Sequence, residues 1–172
     1  MMTQTTYDIR IIFGSESGGG ELTAEDISES LPEGFQARIE SMADVDVATL
    51  TDGAFLFVIC STYGEGELPM GAQPFHDALE SARPDLKGLR YAVFGRGDKT
   101  YLKTFAQGSV IIDSLLAELG AERFGDVCHH DASDWSISDD LAIEWAAGIV
   151  KGFFMDEISA QTVAVGQSAK AT

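Results

Sequence analysis

Short apolar runs alternate with longer amphipathic segments along most of the chain. The clearest run, residues 53–60, is β-branched and aromatic, which is typical of a strand buried on both faces of a parallel sheet. We predict five strands, at residues 7–13, 35–40, 53–60, 89–94 and 122–128. Apolar residues at helical spacing predict helices at residues 21–31, 72–82, 104–119 and 138–154, and residues 41–51 are irregular or weakly helical.

Strands that alternate with helices predict an α/β fold with right-handed crossovers and a parallel sheet covered on both faces. Five strands fit a doubly wound sheet of order 2-1-3-4-5 in a single domain, which we place at residues 7–154. Residues after about Ile158 are small and polar and show no periodicity, so we predict a frayed C-terminal tail at residues 155–172. In this sheet, ligands bind beyond the carboxyl ends of the strands, where strands one and three separate.

Glycine-rich loops follow strands one, three and four, at residues 14–20, 60–69 and 95–101. Glycine lets the backbone approach a ligand closely, and Tyr63 and Tyr101 offer flat faces on which a ring can stack. The loops therefore predict one flat aromatic cofactor held between two of them. The alternative is that both tyrosines pack in the core or at its edge.

The first loop has the features of a phosphate-binding loop. Ser15 and Ser17 supply hydroxyl donors, and three glycines, Gly18, Gly19 and Gly20, leave backbone N–H groups open at a helix N-terminus. No lysine or arginine lies in the loop, so we expect hydrogen bonds to neutralise the ligand, as suits one phosphate monoester. The alternative is an ordinary strand-to-helix turn with capping serines.

The chain is strongly acidic, with 28 Asp and Glu against 11 Lys and Arg, for a net charge of −17. This charge repels nucleic acid and anionic membrane and attracts basic partners, although acidity can also serve solubility alone. Cys60 and Cys128 lack the spacing of metal ligands, and His76, His129 and His130 have no catalytic context. No signal peptide and no membrane-length apolar run is found, so we expect a cytoplasmic monomer.

Three motifs in order along the chain carry a family resemblance. They are STYGEGELP at residues 61–69, YAVFGRGDKTY at residues 91–101, and Glu144-Trp145 in the last predicted helix. The chain resembles the flavodoxin family, in particular short-chain flavodoxins of the MioC type and the FMN domains of diflavin reductases. The resemblance implies FMN as the cofactor. Its phosphate would be held by Ser15, Glu16, Ser17, Gly18, Gly19 and Gly20. One wall of the isoalloxazine site would be Ser61, Thr62, Tyr63, Gly64, Glu65 and Gly66, and the other Arg96, Gly97, Asp98 and Tyr101.

The sequence departs from the family pattern in two places. Gly20 stands where threonine, asparagine or alanine is common, and the spacing from Tyr101 to Phe105 is one residue longer than usual, with Ala106 at a frequent cysteine position. These departures predict one fewer hydroxyl contact to the phosphate and a different shape of the second wall.

The resemblance implies a carrier of single electrons between a separate flavoprotein reductase and a separate acceptor enzyme with a basic surface. The alternative is an FMN-dependent reductase of small quinone-type molecules. A signalling receiver domain, which shares the strand order, is excluded because Ser15 and Ser61 stand where that class needs acidic residues. A flavin-free relative of the family is the remaining alternative.

Overall fold

The computed structural model describes residues 6–15, 18–62, 66–97, 107–131 and 140–169, with side chains up to residue 155. Its strands are β1 (Tyr7–Gly14), β2 (Phe35–Ser41), β3 (Phe55–Ser61), β4 (Arg90–Gly97), β5 (Glu122–Arg123) and β6 (Cys128–Asp131). Its helices are α1 (Gly19–Ser30), α2 (Gln73–Ala82), α3 (Gln107–Glu118) and α4 (Asp140–Ala169). One 3-10 turn, Val47–Thr49, lies within the segment predicted to be irregular or weakly helical.

The strands form one parallel sheet in the order β2-β1-β3-β4-β5, which confirms the predicted doubly wound fold. The central strand β3 is buried on both faces, and residues 55–60 are at most 3% exposed. Alternate side chains of the strands pack toward α2 and α3 on one face and toward α1 and α4 on the other. The apolar runs of the sequence therefore become the middle layer of a three-layer domain.

The prediction of one continuous fifth strand at residues 122–128 is wrong. Two short strands, β5 and β6, form there instead, and both pair with β4. Two residues of β4 separate the paired positions Tyr91 and Phe94, while four residues separate their partners Arg123 and Cys128. Gly125, inside the break, has a φ of 77°, which no strand residue adopts. The left-handed glycine interrupts the ladder, and β6 resumes it up to Asp131.

The last helix is longer than predicted: α4 continues to Ala169, beyond the predicted end at residue 154. The prediction failed because it required apolar periodicity, whereas residues 155–165 contain no glycine or proline to stop a helix. The backbone is thus helical through most of the segment that we predicted to be a frayed tail. The division of the chain into a domain at residues 7–154 and a tail stays a prediction.

A buried tyrosine attaches α3 to the sheet. Tyr91 has no exposed surface, and its hydroxyl donates a hydrogen bond of 2.8 Å to Oδ1 of Asp113, which also pairs with Arg123. Burial, and then the Asp113 carboxylate, raise the pKa of Tyr91 well above its usual value. This group joins the start of β4, the middle of α3 and β5.

We expect Tyr91→Phe to lower the free energy of unfolding by about 1.5 kcal/mol at neutral pH, because a hydrogen bond to a charged group is lost. Since the pKa of Tyr91 is higher in the folded state, wild-type stability from this group is present below the unfolded pKa of about 10 and is lost above it. The difference between the two proteins should therefore shrink above that pH. Urea titrations at neutral pH and above about pH 10 measure the difference in the free energy of unfolding between the two proteins. Tyr7→Phe is the control, since the Tyr7 hydroxyl has no hydrogen bond within the described residues. An equal loss in both variants would contradict the role of the bond.

Candidate functional site

The carboxyl ends of the strands meet at one edge of the sheet. The pairings Gly14 with Cys60, Ser61 with Arg96 and Gly97 with Asp131 bring the ends of four strands side by side. All three predicted glycine loops start from this edge. The convergence that the sequence predicted is therefore present in the fold.

About half of the predicted site residues can be placed. Those within the described residues are Ser15, Gly18, Gly19, Gly20, Ser61, Thr62, Gly66, Arg96 and Gly97. Those outside them are Glu16, Ser17, Tyr63, Gly64, Glu65, Asp98 and Tyr101, together with Phe105 and Ala106. The stacking roles of the two tyrosines and the changed shape of the second wall stay predictions.

The first loop delivers backbone N–H groups at the start of α1. Gly18 precedes the helix with a φ of 78° and, as a glycine, supplies no side-chain cap of its own. A Cβ at Gly18 would meet no atom within 4 Å, so the loop faces open space there. The Ser15 hydroxyl accepts a hydrogen bond of 3.3 Å from the Gly20 N–H. The N–H groups of a helix start that is built from glycines are suited to an anionic group.

The structure gives a reason for glycine at position 20. A Cβ there would lie 3.2 Å from both Cβ and Oγ of Ser15, so any side chain would press on the serine that accepts from the Gly20 N–H. From the other side, a Cβ at Gly71 would lie 3.1 Å from the Ser15 carbonyl oxygen. The loop is thus packed between two glycines, of which sequence reasoning missed Gly71.

The end of β3 is joined to two neighbouring elements. The Thr62 N–H donates to the Arg96 carbonyl at 3.0 Å, and the Thr62 hydroxyl accepts from the Gly108 N–H at 2.9 Å. A Cβ at Gly108 would overlap the Ser61 carbonyl oxygen. Thr62 therefore uses its hydroxyl at the start of α3. Sequence reasoning missed Gly108, whose signal was a glycine in the first turn of a helix.

The Arg96 side chain reaches from the end of β4 to the first loop. Its side chain leaves the sheet on the face of α1 and α4 and lines a cavity of about 40 Å³ with Asp26 and His130. Its guanidinium reaches the first turn of α1, so that a Cβ at Gly19 would overlap Nη1 and lie 2.8 Å from Cζ. The loop itself contains no lysine or arginine, as the sequence shows, but the Arg96 guanidinium reaches the loop from β4.

Other residues that the sequence singled out pack in the core. Trp145 of α4 lies edge-on to Phe57 and tilted against Phe94, with ring centroids 5.5 Å away in both cases. Cys60 is fully buried, and burial raises the pKa of its thiol to about 12; burial also raises the pKa of Cys128. Both thiols are neutral at physiological pH, and neither forms a disulfide. No metal-binding group of His, Cys, Asp and Glu is found among the described residues.

A family model described as Flavodoxin matches residues 11–145, a span that contains all of the strands from β2 to β6 and the candidate site. The chain belongs to the flavodoxin family. It is 37% identical over 142 residues to protein MioC of Escherichia coli (strain K12), covering 80% of this chain and 92% of that protein. It is 34% identical to the sulfite reductase [NADPH] flavoprotein alpha-component of Bacillus subtilis over 84% of this chain.

This flavodoxin-family chain spans only 23% and 24% of the length of the first two curated relatives that it matches. Among solved structures, a mutant of flavodoxin from Pseudomonas aeruginosa aligns with a TM-score of 0.70 and 29% identity. That alignment covers 83% of this chain and 98% of the flavodoxin chain. The similarity therefore extends over whole short flavodoxins and over one part of the longer reductases.

The family implies FMN, and the described residues fit it. The glycine-rich start of α1, the open space at Gly18 and the nearby Arg96 guanidinium suit a phosphate group. The ends of β3 and β4 lie side by side where an isoalloxazine ring would be held between two loops. Within the described part of the chain, no helix combines the length and apolar content needed to cross a membrane.

Proposed function

We propose that this chain is an FMN-binding electron-transfer protein that carries single electrons from a separate flavoprotein reductase to a separate acceptor enzyme. One observation carries the proposal: glycine-rich strand ends and the glycine-rich start of α1 meet at the carboxyl edge of the sheet, in a chain of the flavodoxin family. The near-complete match to short flavodoxins supports a carrier, in which one FMN domain exchanges electrons with other proteins.

FMN supplies the redox chemistry, because its ring accepts and donates electrons one or two at a time. The chain would bind and orient it. The backbone N–H groups of residues 18–20 would hold the phosphate, and the loops after β3 and β4 would enclose the ring. Proposed cofactor-binding residues are Ser15, Glu16, Ser17, Gly18, Gly19, Gly20, Ser61, Thr62, Tyr63, Gly64, Glu65, Gly66, Arg96, Gly97, Asp98 and Tyr101.

The partners that we propose carry basic docking surfaces. Large apolar side chains are exposed close to the same edge of the sheet: Leu22 by 63%, Met70 by 78% and Val110 by 41%. Leu22 and Val110 lie in the first turns of α1 and α3, and Met70 precedes the glycine that packs on Ser15. An apolar rim within a protein of net charge −17 suits brief, electrostatically guided encounters with basic proteins.

We expect electron transfer from a flavoprotein reductase to slow by about tenfold or more when ionic strength rises from about 0.01 M to about 0.15 M, because salt screens the attraction. Stopped-flow absorption at the flavin band measures the rate. Reduction by a neutral small-molecule reductant is the control and should change little. A salt-independent rate with the reductase would contradict electrostatic docking.

A reductase of small quinone-type molecules is the other candidate, and no feature of the described residues favours it. His76 lies in the first turn of α2 beside Asp77, with 3.5 Å between Nδ1 and Oδ1. No catalytic motif surrounds this histidine in the sequence.

Stepwise anaerobic reduction of the FMN-loaded chain tests the proposal. We expect one FMN bound per chain and reduction in two separate one-electron steps, read by absorption and electron paramagnetic resonance. A chain that binds no flavin would remove the proposal. Reduction only in a single two-electron step, with turnover of a quinone, would support the reductase instead.

A further inference from the structure

The Arg96 guanidinium lies against the first turn of α1. A Cβ at Gly19, the first residue of the helix, would overlap Nη1, lie 2.8 Å from Cζ and lie 3.0 Å from Nη2. These three guanidinium atoms therefore lie against the first residue of α1. Residue 19 must be glycine for the arginine to lie there.

The path of this side chain is set by its neighbours. Arg96 follows Phe94 on the same face of β4, and it shares a small cavity with Thr23 and Asp26 of α1 and with His130 of β6. Its backbone carbonyl accepts from the Thr62 N–H at 3.0 Å, which holds the end of β4 to the end of β3. The stem thus rises between α1, α4 and the sheet, and the charged end emerges at the glycine loop.

This placement joins two positive potentials. A helix start carries partial positive charge, and a cation next to it is ordinarily unfavourable. Glu21 is the acidic residue of the first turn, and Asp26 lies further along the helix. An anionic group between the guanidinium and the backbone N–H groups would be attracted by both. Arginine suits a phosphate in particular, because its planar fork donates two parallel hydrogen bonds and stays charged at every relevant pH.

We propose that Arg96 binds the phosphate of FMN at the start of α1 and thereby makes the site discriminate FMN from riboflavin. The inference rests on the proposed function and changes the assignment of Arg96 from the isoalloxazine wall to the phosphate. It also supplies the cation that the glycine loop itself lacks. Riboflavin presents the same ring without the phosphate, so the two ligands separate these roles.

The test compares the flavin-free full chain with the variants Arg96→Leu and Arg96→Lys. Dissociation constants for FMN and for riboflavin are measured by quenching of flavin fluorescence. We expect Arg96→Leu to weaken FMN binding by about 10- to 100-fold, as for the loss of hydrogen bonds to a charged group, and to leave riboflavin binding nearly unchanged. Arg96→Lys should keep part of the FMN affinity. Arg38→Leu, at an arginine that is 61% exposed on β2, removes the same charge elsewhere and is the control.

A second variant moves the guanidinium without removing its charge. Gly19→Ala would push Arg96 away from the helix start, whereas Gly148→Ala on α4 meets no atom within 4 Å and is its control. We expect Gly19→Ala to lower the ratio of FMN to riboflavin affinity, and Gly148→Ala to leave it unchanged. Far-ultraviolet circular dichroism of each flavin-free variant verifies that it is folded.

The outcomes separate cleanly. A selective loss of FMN affinity in folded Arg96→Leu supports the inference. Equal losses for both flavins, or no loss for either, would overturn it and leave the proposed function standing. If the wild-type chain binds neither flavin, the proposed function fails and the role of Arg96 fails with it.

Discussion

Replacing Gly108 by alanine is expected to destabilise the protein by about 2 kcal/mol and to weaken FMN binding by about tenfold. The reason is the close approach of α3 to the end of β3: a Cβ at Gly108 would overlap the Ser61 carbonyl oxygen and lie 3.3 Å from the Thr62 hydroxyl. The obstacle is backbone, so the helix or the strand end must shift. A shift would also displace Ser61 and Thr62, which begin the proposed first wall.

Gly148→Ala is a matched control for this prediction. Both glycines lie in helices, but the added methyl group at Gly148 meets open space. Helix propensity alone favours alanine by about 0.5–1 kcal/mol, so the control should be slightly more stable than the wild type. Urea unfolding and FMN fluorescence titration are measured for both. A Gly108→Ala protein as stable as the control would show that the strand end is not held by this contact.

The second prediction concerns the core behind the site. Phe57 of β3 has no exposed surface, and its ring lies 5.2 Å from Phe55 and 5.5 Å from Trp145, centroid to centroid. We expect Phe57→Ala to lower the free energy of unfolding by about 3–5 kcal/mol, because it removes a buried ring and leaves a cavity in the central strand. Phe57→Leu, which keeps much of the volume, should cost about 1.5 kcal/mol or less.

Denaturant unfolding of the flavin-free chain measures this loss. If the free energy of unfolding depends on denaturant concentration with the same slope in both proteins, the compactness of the folded and unfolded states is unchanged. Leu22→Ala is the control, since Leu22 is 63% exposed and its loss should cost no more than about 0.5 kcal/mol. A cost for Phe57→Ala similar to that of the control would contradict the central place of β3 in the core. If flavin affinity falls only in proportion to the unfolded fraction, Phe57 supports the site through stability alone.

The correct predictions rest on local patterns that leave few choices. The apolar run at residues 53–60 predicted a strand buried on both faces of a parallel sheet, and β3 is the central strand of that sheet. Alternating strands and helices then restrict the topology, because crossovers are right-handed and the carboxyl ends share one edge. The location of the candidate site, at the ends of β1, β3 and β4, followed from this topology before any contact was known.

The errors lie where a contact distant in sequence decides the structure. The break between β5 and β6 depends on a left-handed glycine and on the register against β4, neither of which leaves a periodic signal. The length of α4 is the exception, because its cause is local: residues 155–165 contain no glycine or proline, and the prediction relied on apolar periodicity alone.

By itself, the sequence determined the class of fold, the order of the strands, the glycine loops and the family, since all of these depend on local composition, spacing and motif. Only the tertiary structure decided which side chain reaches which loop. Arg96 is 77 residues from Gly19 along the chain, yet its guanidinium lies against that helix start because the side chain leaves β4 on the face of the sheet that α1 covers. The reason for glycine at positions 71 and 108 is likewise tertiary. The backbone of Ser15 packs closely on Gly71, and the backbone of Ser61 packs closely on Gly108.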